Sequence, residues 1–596
     1  MVYKYKFLYK TCLILLVLFS LYICFWKLGV SSFYDLNEAY LVQLSKDFSE
    51  NINLANPAGS ATFARLYDPL PVFLTNLSFK IFGESESSAR FFPAFFGFLT
   101  ILLTFIFAKS IYRNKTVALF CAFILVTSYQ FIFNRGIRSA DGYAIPVFFM
   151  LTFIFLIWRS RQDVKFFYLS AIPLGLLGLS ITFGLIFILG LFIILLFQSL
   201  DRRFFGLKQW GIWLLLLIVT ISPWIAYLLI SKQYLNYFNF YFNFIVSNIA
   251  RIKIFGLGFL QEFISLDKFD LAASDHYNPL ILWNVLKFGL FPWSIMLIPS
   301  FVFLFIRLFK TKEYPPADKL IFSWILPTII MIMAITIFTR SWWINILCPA
   351  LAIVVGKFIY DFVWGFRKNT AISFLLSSWF IAMLIVTQPL QLHQVGYNPV
   401  PWMESGLISG SLRYNVSNPI FWIFCLTVVI FLMQISFKRL NMKFANKYIF
   451  VQISAALFFV VSLVNIIYLV NNSQNKSEMD TIGSLINNEK AIAPGKKLIL
   501  YNIALLGGAS RLTPELKERW SDYYYLNKIG MPKEKINENL PLILELFNSH
   551  KEDICLMKRE DFNNLIKLRQ KEEMKISIIW IGNEYVLLNM NSKLAI

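Results

Sequence analysis

Residues 167–199 have the sequence FYLSAIPLGLLGLSITFGLIFILGLFIILLFQS, a run of 33 residues without a charged side chain. A membrane-spanning helix needs about 20 mostly apolar residues, so this run is too long for a single crossing. Five helix-weakening residues interrupt the run: Pro173, Gly175, Gly178, Gly184 and Gly190. Because proline and glycine weaken helices, the stretch predicts two short or broken helices within a membrane.

The rest of the chain has the same apolar character. Of its 596 residues, 58% are hydrophobic and only 15% are charged, against about 25% charged in an average soluble domain. This composition excludes a soluble single-core protein, a disordered chain and a disulfide-rich secreted scaffold. We therefore predict an α-helical polytopic membrane protein with about 13 transmembrane helices. The spans lie near 11–30, 90–108, 116–133, 142–158, 167–199 (two), 211–230, 280–306, 320–338, 342–360, 372–388, 419–437 and 449–470.

The loops on the two sides of these spans differ strongly in charge. The N-terminal tail and the loops on its side carry 23 Lys and Arg residues and five acidic residues. The opposite loops hold most of the loop carboxylates. Lys and Arg mark cytoplasmic loops, so the N-terminus is predicted to be cytoplasmic. The same asymmetry accounts for much of the net charge of +21, and no nucleic-acid partner is expected.

The composition changes after Val470. Residues 471–596 are polar and contain four short apolar runs, at 497–501, 554–557, 576–581 and 584–588. Gly582-Asn583 between the last two runs is a hairpin-turn signal, and residues 560–570 have a helical pattern. We predict a transmembrane domain over 1–470 and a small α/β domain over 471–596 on the side of the acidic loops. A structural cap or a partner-binding domain is the expected role of this tail.

Carboxylates close to predicted helix ends on the outer side are the first candidates for chemistry. Asp35 and Glu38 follow the first span and share a face if the segment is helical, Asp68 precedes Pro69, and Asp141 begins the fourth span. Ionisable groups at membrane depth are costly and commonly functional, and a general base needs such a carboxylate. The alternative is that these acids are ordinary interface residues or helix N-caps. Residues 37–48 and 70–82 are amphipathic and could lie in the membrane interface.

Short motifs in a fixed order resemble those of the ArnT-like branch of GT-C glycosyltransferases, which is related to the protein O-mannosyltransferases. The similarity extends over most of residues 11–470. Its segments are NEA (37–39), SKDF (45–48), YDPLPVF (67–73), FGESESSARFFPA (82–94), RSADGYAIPVFF (138–149), LSITFG (179–184), SPW (222–224), SNIARI (247–252), HYNPLILWNVLKFGLFPW (276–293) and TRSWWINILCPALAI (339–353).

The resemblance implies an enzyme of the bacterial inner membrane that works at the periplasmic face. It would move a sugar from a polyprenyl-phosphate donor, which reaches the site through the membrane lipids, to a lipid, glycan or protein acceptor. Asp35 or Glu38 would be the base, with Asp141 as a further catalytic carboxylate. The residues expected to bind substrate are Asp68, Arg138, Arg251, His276 and Arg340, the arginines holding the donor phosphate.

Three positions depart from the family pattern. Asn37 stands where the family has its catalytic Asp, Tyr67 where a Lys or His is usual, and Phe183 where the family has the Lys of its T-K-G motif. They leave open a non-catalytic member that binds a lipid-linked glycan or a partner protein. The broken segment 167–199 leaves open a second alternative, a lipid or solute transporter. A divalent metal ion at Asp68 and Asp141 is also left open, and the three histidines are too scattered to indicate a zinc site.

Overall fold

The computed structural model describes most of the chain up to residue 230, a second region over 293–365, and parts of the tail. The described ranges are 2–33, 36–50, 69–133, 136–141, 143–181, 185–202, 205–230, 293–310, 316–336, 345–365, 498–501, 533–536, 554–569, 577–581 and 585–589, with a few single residues between 463 and 485. The chain divides into two compact units. The first comprises Met1–Leu28, Asp68–Ser78 and Arg90–Ser473, and the second comprises Gly29–Tyr67, Phe79–Ala89 and Gln474–Ile596.

Helices account for nearly all of the described residues before the tail. In chain order they are α1 (Val2–Phe25), α2 (Leu36–Glu50), α3 (Pro69–Phe82), α4 (Glu86–Tyr112), α5 (Lys115–Val126), α6 (Tyr129–Ile132), α7 (Ala144–Arg159), α8 (Lys165–Gly178), α9 (Leu185–Asp201), α10 (Leu207–Ile230), a 3₁₀ turn (Trp293–Met296), α11 (Leu297–Lys310), α12 (Pro316–Thr336) and α13 (Cys348–Gly365). The predicted spans at 372–388 and 419–437, and most of 449–470, lie outside the described residues, so the number of spans stays a prediction.

The helices of the first unit pack around one apolar core. Helix α7 packs on α8, α8 on α10, α9 on α12, and α5 on α13. The α5–α13 contact is especially close. A Cβ atom at Gly356 of α13 would lie 2.7 Å from Sγ of Cys121 on α5, and Ala118, Ala122 and Ala352 are fully buried. Small residues at such contacts let helix backbones approach closely, as in membrane helix bundles.

The predicted break in residues 167–199 is observed as the gap between α8 and α9. Pro173 does not mark the break, because it lies inside α8. Gly175 and Gly178 also lie within α8, where a Cβ would meet Thr220 at 2.7 Å and Phe187 at 2.3 Å. These glycines therefore serve helix packing, and the chain leaves the helix only after Gly178.

Large apolar side chains are exposed along the outer faces of several helices, including Leu15 and Leu18 on α1 and Phe192 on α9. So many exposed large apolar side chains are unusual in water and expected against lipid. Helices α4 and α10 are long and apolar enough to cross a bilayer, and α5, α7, α8 and α9 are apolar but shorter.

Within the tail, the described residues form a five-stranded sheet and one helix. The strands are β1 (Leu498–Tyr501), β2 (Lys533–Ile536), β3 (Ile554–Lys558), β4 (Ser577–Ile581) and β5 (Tyr585–Asn589), in the order β2-β1-β3-β5-β4. Strands β1, β2 and β3 run parallel, and β5 pairs antiparallel with both β3 and β4. Helix α14 (Arg559–Arg569) connects β3 to the β4–β5 pair. Four strands lie at the predicted apolar runs, whereas β2 does not.

Candidate functional site

Glu38 is a buried carboxyl group in the first turn of α2, with 4% of its surface exposed. The positive end of the helix dipole at this turn favours a carboxylate. Helix α2 buries one broad apolar face, as the sequence predicts: Ala39, Leu41, Val42 and Leu44. Lys46, in the same helix, pairs with the exposed Glu84 at 2.6 Å. Glu38 is thus held on a packed helix, and its role as a base stays a prediction.

Asp141 lies in the turn between α6 and α7 and is 7% exposed. This turn folds back on α6, because the N–H of Ile137 donates to the carbonyl of Phe131 at 2.9 Å. Gly136 is required by that close approach, since a Cβ there would lie 1.9 Å from the Phe131 carbonyl oxygen. Arg138 and Asp141, from one family-like motif, are therefore presented by a tightly constrained turn.

The guanidinium group of Arg138 contacts the C-terminal end of α1. Its Nη1 donates to the carbonyl oxygens of Ile23 and Trp26, both at 2.9 Å, and its Nη2 donates to that of Lys27 at 3.0 Å. The last carbonyls of a helix lack partners within the helix, and a cation there is favourable. The structure thus gives Arg138 the role of a cap on α1. The phosphate-binding role implied by the resemblance stays a prediction.

Arg90 contacts the same end of α1, which sequence reasoning missed. It is 2% exposed, and its Nη1 donates to the carbonyl oxygen of Leu28 at 3.1 Å. The family-like stretch 82–94 contains this arginine, but only the fold reveals what it binds. The signal available in the sequence was an arginine in an otherwise apolar helix, which is costly unless the side chain is satisfied.

Other family-like motifs also meet in the first unit. The N–H of Leu70, in YDPLPVF, donates to the carbonyl oxygen of Leu179, in LSITFG, at 3.0 Å. Trp293, the last residue of the HYNPLILWNVLKFGLFPW stretch, is fully buried and donates from Nε1 to Oγ1 of Thr127 at 2.8 Å. Thr127 caps α5, just before α6 and the Arg138–Asp141 turn begin. Motifs far apart in the sequence are therefore neighbours in this unit.

The remaining predicted site residues lie outside the described residues: Asp35, Asp68, Arg251, His276 and Arg340. Glu38 belongs to the second compact unit, and Arg138 and Asp141 belong to the first. Convergence of these acids and arginines on one chamber stays a prediction. In the part of the chain that the structure describes, no group of three or more His, Cys, Asp or Glu side chains could hold a metal ion.

Comparison with known proteins gives matches to the same class of glycosyltransferases that the sequence motifs resemble. The family model of dolichyl-phosphate-mannose-protein mannosyltransferases matches residues 58–240, which include the Arg90 and Arg138 motifs. The structure is similar to that of ArnT from Cupriavidus metallidurans bound to undecaprenyl phosphate, covering 98% of both chains with a TM-score of 0.54 and 13% identity. The apo state of the same ArnT gives a TM-score of 0.55 at 11% identity, again over 98% of both chains. This chain has the fold of a GT-C glycosyltransferase.

A sequence relative is found in Aquifex aeolicus (strain VF5), an uncharacterized protein that is 28% identical over 174 residues. The match covers 29% of this chain and spans about a third of the relative's own length, 34%. The resemblance to the GT-C glycosyltransferases noted in the sequence is confirmed. The GT-C fold, together with the apolar helices α4 and α10, supports a membrane location for this chain.

Proposed function

We propose that this GT-C protein is a polyprenyl-phosphate-dependent glycosyltransferase. It moves one sugar from a lipid-linked donor to a lipid, glycan or protein acceptor at the periplasmic face of the bacterial inner membrane. The observation that carries the proposal is the likeness in fold to ArnT over 98% of both chains, in a structure that holds undecaprenyl phosphate. The match of residues 58–240 to a mannosyltransferase family model supports the same reaction class.

The proposed reaction is an inverting displacement at the anomeric carbon of the donor sugar. The carboxylate of Glu38, or of Asp35 earlier in the same segment, takes the proton from the acceptor hydroxyl group. The acceptor oxygen then forms a bond to the anomeric carbon, and the polyprenyl phosphate leaves with the electron pair of the broken C–O bond. Arg251 and Arg340 would stabilise the charge that develops on this phosphate.

Asp68, Asp141 and His276 are proposed to orient the acceptor or the sugar. Asp141 is the member of this group whose surroundings support the assignment, because it is buried and presented by the constrained turn after α6. A pocket built from loops that are distant in the sequence would select both the sugar and the acceptor.

Membranes containing this protein should transfer a radiolabelled sugar from at least one of a panel of polyprenyl-phosphate donors. Glu38→Gln or Asp35→Asn should abolish transfer. Asp141→Asn should lower it by about 10²-fold, the size of effect expected when a reactant loses a group that orients it. Glu560→Gln, at an exposed carboxylate of the tail helix α14, is the matched control and should transfer at the wild-type rate.

Wild-type rates in both single variants and in the double variant would show that these carboxylates are not the base. Absence of transfer with every donor would favour a non-catalytic role in binding a lipid-linked glycan, for which Asn37, Tyr67 and Phe183 are the motivation. Lipid flipping in proteoliposomes without transfer would instead favour a transporter.

A further inference from the structure

The C-terminal end of α1 is the point where three distant parts of the chain meet. Arg90 comes from the first turns of α4, and Arg138 comes from the turn before α7. Asn471 comes from the position where the last predicted span ends, and its Oδ1 accepts from Tyr22 and Trp26, each at 3.3 Å. We call this set of contacts the α1 junction.

The α1 junction satisfies backbone groups that membrane surroundings would leave unpaired. The two arginines donate to the carbonyl oxygens of Ile23, Trp26, Lys27 and Leu28. Lys27 itself has a left-handed backbone, with φ of 51°. This conformation ends a helix and turns its last carbonyls outward, where cationic donors can reach them.

Arginine is suited to this task in a way that lysine is not. The planar guanidinium group presents a fixed fork of N–H donors, which lets Arg138 bind the carbonyl oxygens of three residues at once. A lysine ammonium group keeps the charge but is a single point with flexible donors. Replacement of Arg138 by Lys therefore removes the geometry of the α1 junction while it preserves the cation.

The chain that leaves the α1 junction leads directly to the candidate base. Gly29 follows Leu28 in the chain and packs closely on Ser87. A Cβ atom at Gly29 would lie 2.9 Å from the Ser87 Cβ. Phe33 is fully buried, α2 begins at Leu36, and Glu38 is ten residues beyond Leu28. Because only ten residues of chain separate Leu28 from Glu38, we expect a displacement at the end of α1 to affect the segment that carries Asp35 and Glu38.

We propose that Arg90 and Arg138 are positioning residues, which fix the end of α1 and thereby the start of the segment that carries the catalytic carboxylate. This inference rests on the proposed function for its effect on catalysis. It assigns Arg138 a role in holding the protein backbone, in place of a direct contact with the donor phosphate. The arginines that hold phosphate would then be Arg251 and Arg340.

The test uses Arg138→Lys and Arg90→Lys in the full-length protein, with Arg113→Lys as the matched control at an exposed arginine. Transfer kinetics with a polyprenyl-phosphate sugar should show kcat lowered at least tenfold, with the KM for the donor within twofold of wild type. Hydrogen–deuterium exchange should be at least tenfold faster for amides of residues 24–36 in both variants and unchanged in Arg113→Lys.

A donor KM that rises tenfold while kcat is kept would overturn the proposal in favour of direct phosphate binding. Unchanged exchange over residues 24–36 in both variants would overturn it as well. If the wild-type protein transfers no sugar, the proposed function fails, and the exchange measurement still decides whether the two arginines hold the end of α1. Gel filtration verifies that each variant is folded, and Arg90→Lys keeps the test decisive if Arg138→Lys aggregates.

Discussion

Gly136 is the residue on which the constrained turn before α7 depends most directly. A Cβ at this position would lie 1.9 Å from the Phe131 carbonyl oxygen and 2.4 Å from the Phe131 carbonyl carbon. Both are backbone atoms, so no side-chain rotation can relieve the clash. The sequence shows only a glycine between two arginines, and its importance comes from the backbone of α6 folding back on it.

Gly136→Ala is therefore expected to lower stability by about 3 kcal/mol, as severe overpacking does. Transfer activity should fall with it, because the turn carries both Arg138 and Asp141. Gly211→Ala is the control, since Gly211 lies in α10 and a Cβ added there would have no neighbour within 4 Å. Alanine at a helical position with free space should raise stability by up to about 1 kcal/mol.

Thermal unfolding in detergent and the transfer assay measure both effects. Equal melting temperatures for Gly136→Ala and wild type would mean that the turn tolerates a side chain, and that its backbone is held less tightly than the contact with Phe131 indicates.

At the scale of helices, charged side chains link α11, α12 and α13 at the end predicted to be cytoplasmic. Arg307 of α11 pairs with Asp318 of α12 at 3.2 Å and with Asp361 of α13 at 3.3 Å. Lys357 pairs with Asp361 at 2.5 Å, and the Tyr112 hydroxyl of α4 donates to Asp318 at 3.4 Å. Asp318 is only 1% exposed. A buried carboxylate needs a cationic partner, and Arg307 is that partner for Asp318.

Arg307→Met should lower the stability of the protein by about 3 kcal/mol, because it leaves a buried carboxylate without its arginine. Glu84→Gln breaks the exposed Lys46–Glu84 pair and should cost less than about 1 kcal/mol. Melting temperatures of the two variants give the comparison. A larger loss from Glu84→Gln would contradict the importance assigned to the buried network.

The same network gives a pH dependence with a definite sign. Burial raises the pKa of the Asp318 carboxyl group above its ordinary value, while Arg307 and Lys357 lower it. A carboxyl group with a raised pKa stabilises the fold below its unfolded pKa and loses that contribution as the pH rises through the folded pKa. Removal of Arg307 raises the pKa further, so the loss caused by Arg307→Met should shrink on acidification from about pH 8 to about pH 5. A loss that grows on acidification would argue against this assignment.

At the scale of the whole molecule, the charge of the loops predicts the side on which each end of the chain lies. With an odd number of crossings and a cytoplasmic N-terminus, the tail that contains β1–β5 is periplasmic. Alkaline phosphatase fused after Ile596 should therefore be active in bacteria, and green fluorescent protein at the same position should be dark. Fusions truncated after Gln162, in a loop predicted to be cytoplasmic, should give the reverse pattern. A fluorescent fusion at Ile596 would place the tail in the cytoplasm and remove the predicted odd number of spans.

Much of the fold could be predicted because apolar segments are a local property of the sequence. The described helices follow the predicted spans closely, and β1, β3, β4, β5 and α14 lie at or within a residue or two of the patterns in the tail. Strand β2 (KEKI) was missed because half of its side chains are lysines. It is an edge strand, where charged residues are tolerated and guard against aggregation, so it lacks the apolar pattern of a central strand.

By itself, the sequence determined the helical membrane character, the family resemblance and the residue types available for chemistry, and it predicts the side of the charged loops. Composition and short motifs are enough for these. Only the tertiary structure decided that Gly175 and Gly178 serve packing, that Arg90 and Arg138 bind the end of α1, and that Trp293 reaches Thr127. The hydrogen bonds among these contacts join residues that are well separated in the chain, from 62 positions for Arg90 and Leu28 to 166 for Trp293 and Thr127. No local pattern specifies such pairs, because they form only when the packing of several helices brings the two segments together.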